Sequence, residues 1–167
     1  SNIGTVYKEQ KNYVKALQYL NESLEMHYEV NDGKDNTVNK SVAFVLSNIG
    51  VIYIKQGKYE EALKYNKESL EMHYKVNDGK ENTVNEDVAY LLNCIGRIYE
   101  KQQKYEKAFK YIIKSTKIAE KLNDRNFLIN LKPQIKYLIS KVKIKPNDKC
   151  LCDSGKKFKK CCFLLKK

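Results

Sequence analysis

The stretch "SNIGVIY", residues 47–53, decides the fold. It recurs as "SNIGTVY" at 1–7 and "NCIGRIY" at 93–99, so Gly4, Gly50 and Gly96 stand 46 residues apart. Around it, residues 1–46 and 47–92 agree at well over half of their positions, "ESLEMHY" and "NTVN" included, and the third copy is more divergent. A fixed period of this order marks stacked supersecondary units, each of which buries its apolar face only against a neighbour.

Within a copy the apolar rhythm is helical. Val42, Leu46, Ile49, Ile52 and Tyr53 fall at intervals of three and four, as do Val88, Leu92, Ile95, Ile98 and Tyr99. "QGK" at Gln56–Lys58 ends the first helix of its copy, and a second helix presents Tyr59, Ala62, Leu63, Leu70 and Tyr74 to the core. "NDGKENTVN" at 77–85 reads as turn and loop, with Asn85 an N-cap and Glu86 and Asp87 in the first turn that follows. Each copy is thus an antiparallel helix pair. Gly50 opposite Ala62, and Gly96 opposite Ala108, let the two backbones approach closely.

This pattern resembles the tetratricopeptide repeat over about residues 1–140. Ile49, Gly50, Tyr53, Tyr59 and Ala62 match the family's positions in order and spacing, and Ile95, Gly96, Tyr99, Tyr105 and Ala108 match them again. Leu46 or Leu92 stands at the usual tryptophan-type site, and Ser69 or Ser115 at the second small-residue site. At 46 residues the unit exceeds the family's usual length of about 34, and in this it is similar to the long repeats of kinesin light chain. The resemblance implies an all-α solenoid whose first helices line a groove for extended peptides or partner helices. Asn2, Thr5, Phe44, Asn48, Val51, Tyr90, Cys94 and Arg97 are the positions expected to face it. Asparagine amides both donate to and accept from a peptide backbone.

Composition narrows the rest. The chain has 167 residues, a hydrophobic share of 42% and a net charge of +12. Ten lysines against Asp148 and Asp153 give residues 141–167 a net +8, which leaves +4 for the first 140 residues and points the basic tail at acidic partners. No apolar run approaches the roughly 18 residues of a membrane span. The chain opens at Ser1, in the middle of an expected helix, and reads as a fragment. Pro133 suits the first turn of a final helix whose Lys132, Lys136 and Lys141 make a polar cap. His27 and His73 occupy one repeat position and read as structural. No nucleophile–base pair, phosphate loop or paired catalytic carboxylates are present, so an enzyme is not expected. The expected division is 1–142, helical array with capping helix, and 143–167, a separate small motif.

That motif holds four of the five cysteines, in "NDKCLCDSGKKFKKCC" at 147–162. Leu151, Phe158, Phe163, Leu164 and Leu165 offer too little apolar surface to offset ordering some twenty residues at about 1–2 kcal/mol each. Four thiolates from Cys150, Cys152, Cys161 and Cys162 suit a closed tetrahedral zinc site. Lys156, Lys157, Lys159 and Lys160 are expected to offset its charge and to lower the thiol pKa values. Disulfides, which need an oxidising compartment, and a thiol redox site stand beside this reading. The stretch also resembles the SEC-C motif, named after the tail of the translocase motor SecA: C-x-C, then "SGKKFKK", then a cysteine pair. That resemblance implies structural Zn²⁺ on the same four cysteines, although Lys149, Leu151 and Asp153 replace the motif's usual prolines and glycine.

The function expected is a cytoplasmic, non-enzymatic scaffold. Its array takes a protein or peptide, and its zinc knuckle with Lys156, Lys157, Lys159 and Lys160 docks a second, acidic protein surface. A different reading is nucleic-acid or ribosome association through the lysine tail and Phe158.

Overall fold

The computed structural model describes residues 2–31, 33, 38–77, 84–152 and 154–162. Among them the chain is all-α, with seven α-helices and one short 3-10 turn. No described helix is long and apolar enough to cross a membrane. The chain forms two compact units, Ser1–Thr83 and Val84–Lys167.

The first unit contains α1 (Asn2–Glu9), α2 (Tyr13–Val30), α3 (Lys40–Lys55) and α4 (Tyr59–Val76), each packed on the next among the first three pairings along the chain. Local signals start the helices. The Asn12 and Asn39 side chains accept from the backbone N–H groups of Lys15 and Val42, satisfying donors that a helix start leaves unpaired. The paired helices run antiparallel. Ser69 Oγ of α4 donates to the Ala43 carbonyl of α3 at 2.7 Å, far from the connecting turn. Nearer the turn, Gly50 lies so close to Asn66 that a Cβ would run into its amide. The core joins Ala16, Leu20 and Leu24 of α2 to Val42, Leu46, Ile49 and Ile52 of α3 and Met72 of α4.

Register equivalents are not equally buried. Ile49 and Ile52 are fully buried because α3 is packed by both α2 and α4. Their counterparts Ile3 and Val6 on α1 are 57% and 53% exposed.

The second unit contains α5 (Glu86–Lys101), α6 (Tyr105–Leu122) and α7 (Arg125–Lys141), packed in that order. Asn85 caps α5 as expected, accepting from Asp87 and Val88 N–H; most of the 77–85 loop lies outside the described residues. The α5–α6 pair repeats the geometry of the first unit. Ser115 Oγ donates to the Ala89 carbonyl at 2.6 Å, and a Cβ on Gly96 would meet Ile112 at 2.6 Å. A ring pair recurs at the same register, Tyr7 with Tyr19, Tyr53 with Tyr65 and Tyr99 with Tyr111, each at 5.5 Å between centroids. The turn inside each repeat takes a left-handed residue at one position, Lys11, Gly57 and Gln103, at φ 59, 73 and 58°. Glycine is therefore not what makes the turn; it only lowers its cost.

The final helix corrects one expectation. It starts at Arg125, with Asp124 accepting from Phe127 N–H, so Pro133 lies in its interior and not in its first turn. Proline leaves the carbonyl four residues earlier without its helical donor. That residue, Ile129, is exposed, so water can serve its carbonyl. Leu131, Ile135, Leu138 and Ile139 form the buried stripe of α7, while Lys132, Lys136 and Lys141 are exposed, as a capping helix requires.

Candidate metal centre and binding cleft

After α7 the chain folds back twice. The Lys145 N–H donates to Asp148 Oδ2 at 2.9 Å and the Asp148 N–H to the Lys145 carbonyl, closing a turn over Pro146 and Asn147. An antiparallel bridge joins Lys149 and Lys157, with Cys150 N–H donating to the Lys156 carbonyl and Phe158 N–H to the Asp148 carbonyl, both at 2.8 Å. Gly155, at φ 71°, makes the reversal between them, where a side chain would strain the backbone. The 3-10 turn Phe158–Lys160 then returns Cys161 and Cys162 to the first pair.

All four sulfurs lie within 4.8 Å of one another. Cys152 and Cys161 are 3.4 Å apart and Cys161 and Cys162 3.8 Å, and every cysteine is a free thiol. A tetrahedron of Zn–S bonds of about 2.3 Å has S···S edges of about 3.8 Å, so the donors already stand near the spacing a tetrahedral ion sets. Donor chemistry agrees: four sulfurs without a carboxylate suit a soft or borderline cation.

Burial pushes the Cys150 thiol up. Burial also pushes Cys162 strongly up, and its neighbours Cys150 and Cys152 add to the effect. Burial opposes ionisation of Cys152 too, but hydrogen bonds with Ser154, Cys150 and Cys161 outweigh it and bring that thiol to about 6. Burial thus disfavours the thiolates of Cys150 and Cys162, while hydrogen bonds favour that of Cys152. The expected role of the lysines changes here. Lys156, Lys157, Lys159 and Lys160 are all exposed, and the leading influences on the thiols are burial, Ser154 and the other sulfurs.

The segment also borrows a core. Phe158 is 2% exposed and meets the buried Phe109 of α6 edge to face, centroids 6.3 Å apart. Lys117 Nζ of α6 reaches the Cys152 carbonyl at 3.4 Å. A cleft of about 200 Å³ remains beside this contact, lined by Lys117 and Glu120 of α6 and by Lys156, Lys160, Cys161 and Cys162. Asp153, Phe163, Leu164 and Leu165, weighed in the sequence, lie outside the described residues.

The positions expected to face a groove are placed as follows. The Asn2 side chain lies outside the described residues. Phe44 is exposed, and Thr5 and Val51 are half-buried. Asn48 is buried and already engaged, accepting from Lys8 Nζ at 2.6 Å and donating to the Phe44 carbonyl. On α5, Tyr90, Cys94 and Arg97 come together. Burial and the neighbouring Cys94 push the Tyr90 phenol up to about 12, with Arg97 opposing. Cys94 is buried, Arg97 is exposed, and Tyr90 is about half covered, 47% of it remaining accessible.

A larger cleft, of about 510 Å³, opens between α5 and α7. Asn93, Arg97 and Lys101 line it from α5, and Asn130, Gln134 and Tyr137 from α7. Gln134 Nε2 donates to Glu100 at 2.7 Å, and the buried Asn93 Oδ1 has no hydrogen-bond partner among the described residues. Sequence reasoning found Arg97 but missed Asn93, Asn130 and Gln134. Starting α7 near Pro133 removed the turn that carries Asn130, and one position along α5 decides whether an asparagine faces the cleft.

Comparison with known proteins gives separate matches for the helical repeats and for the cysteine segment. Tetratricopeptide-repeat models match residues 1–75 and 89–122, together about two thirds of the chain, and the SEC-C motif model matches 147–164. A 30-residue stretch is 57% identical to a UPF0225 protein of Vibrio parahaemolyticus, covering 18% of this chain and 18% of that relative's length.

Proposed function

Because the chain is a tetratricopeptide-repeat protein that carries a SEC-C motif after its repeats, we propose that it works as a non-enzymatic scaffold for protein partners. In this reading residues 1–142 are the recognition array and 143–167 a structural zinc knuckle. The observation that carries it is the α5–α7 cleft. Asn93, Asn130 and Gln134 offer amides able to pair with an extended backbone, while Arg97 and Lys101 bring positive charge. A peptide with an acidic side chain or a free carboxylate fits this lining, since guanidinium binds carboxylate through two parallel hydrogen bonds. Zn²⁺ on Cys150, Cys152, Cys161 and Cys162 supplies folding energy to the knuckle and, with every donor a protein sulfur, leaves no position for a catalytic water. The knuckle then presents Lys156, Lys157, Lys159 and Lys160 to an acidic protein surface, in the cytoplasm, where thiols stay reduced.

The nucleic-acid reading loses one of its supports. Phe158 is buried against Phe109 and is not free to stack on a base, so only the lysine charge remains in its favour.

The test is a peptide library panned against the full chain and against the Arg97→Glu variant. Acidic or free-carboxylate peptides that the native chain selects and the variant loses are expected. Selection that Arg97→Glu leaves unchanged overturns the cleft. Tight RNA binding with a steep salt dependence and no peptide selection overturns the scaffold reading in favour of the tail.

A further inference from the structure

We propose that Cys161 is an oxidant-reactive modification site, at which a small hydroperoxide converts the metal knuckle into a Cys152–Cys161 disulfide. This rests on the metal-centre reading above and adds a chemistry to it.

Access comes first. Cys150, Cys152 and Cys162 are buried, and Cys161 is the half-buried member of the cluster. The 200 Å³ cleft beside α6 is lined by Cys161 and Cys162 and by the cationic Lys156 and Lys160. It is large enough for a molecule of the size of hydrogen peroxide. Ser154 Oγ sits 3.2 Å from Cys161 Sγ, within reach of an oxygen arriving at that sulfur. Cys94, the cysteine outside the cluster, is buried in α5 and offers no comparable approach.

Geometry then selects the partner. The Cys161 thiolate attacks one oxygen of the peroxide, forming an S–O bond and breaking the O–O bond, which gives a sulfenic acid and hydroxide. The sulfur is oxidised by two electrons, and the peroxide is reduced by the same two. The Cys152 thiolate at 3.4 Å attacks that sulfur, the S–S bond forms, and the S–O bond breaks with release of a second hydroxide. Two thiolates and one peroxide thus become one disulfide and two hydroxides. Cys162 is the poorer partner. It is 3.8 Å away, and neighbouring residues hold their Cα atoms about 3.8 Å apart, below the roughly 4.4 Å at which unstrained disulfides begin. With two of four donors gone, Cys150 and Cys162 no longer enclose a cation. The order that holds Phe158 on Phe109 then loses its source.

The experiment uses the full chain, purified under reducing conditions, with its metal first quantified. It is treated with dilute hydrogen peroxide, alkylated and mapped by mass spectrometry, while a chromogenic chelator follows metal release. A Cys152–Cys161 disulfide is expected, with one metal released per disulfide, reversal by dithiothreitol on metal resupply, and Cys161 modified at least about tenfold faster than Cys94. Metal that stays bound after oxidation, a first disulfide through Cys150, or a Cys161 as slow as Cys94 overturns the inference and leaves the metal centre standing. A reduced chain that carries no metal overturns both.

Discussion

Ile3 and Ile49 are the same residue at the same register, and their surroundings give them different weights. Ile49 is fully buried and Ile3 mostly exposed. Ile49→Ala is expected to cost about 3 kcal/mol of unfolding free energy, and Ile3→Ala less than about 0.5 kcal/mol; chemical denaturation of the two variants checks the contrast. Asn66 poses the opposite case. It is fully buried where the other copies have Leu20 and Ile112, and its Oδ1 has no hydrogen-bond partner among the described residues. A leucine there regains apolar burial and removes an unpaired acceptor, and Gly50 opposite leaves the room that Gly4 leaves for Leu20. Asn66→Leu is expected to stabilise the chain by about 1–2 kcal/mol, read as a rise in denaturation midpoint at unchanged slope; a fall shows that the amide has a packing role. Periodicity made the apolar positions legible. It could not show Asn66 as core, because an asparagine on a helix is read as surface until its neighbours are known.

At the level of elements, the repeat was legible and its last member was not. The close approach of Gly96 to the Ala108 carbonyl and the Ser69 and Ser115 sites follow from a 46-residue period that is plain in the chain, whereas Gly50 meets Asn66 first; both serines donate to the helix they pack on. The start of α7 was misplaced because Pro133 is a strong signal for a first turn, and here the packing of Leu131, Ile135 and Leu138 outweighs it. Proline in a helix interior costs about 3 kcal/mol or more where packing does not offset it. Here the exposed side of α7 softens that cost, so Pro133→Ala is expected to stabilise the second unit by about 1–3 kcal/mol, measured by thermal unfolding. No gain would mean that the loss of the helical donor at Pro133 is already offset at no cost. The cysteine turn was legible for a different reason. Thiol spacing within sixteen residues is a local matter, whereas the Phe158–Phe109 contact joins residues far apart in sequence and only the folded chain shows it.

For the molecule as a whole, the proposed function makes the knuckle an ordered segment held by sulfur and a cation, attached to helices that hold themselves. Chelation should therefore loosen the backbone around the already exposed Lys156, Lys157, Lys159 and Lys160, raising tryptic cleavage there at least about tenfold, while the far-ultraviolet helix signal stays nearly unchanged. Loss of the helix signal on chelation would show that the helices also depend on the ion. Native mass spectrometry of the reduced chain tests the central claim most directly. One Zn²⁺ per chain is expected, absent when Cys150 and Cys162 are both replaced by serine. A native chain that flies without metal, while the stretch around Lys156–Lys160 still resists protease under reducing conditions, would contradict it.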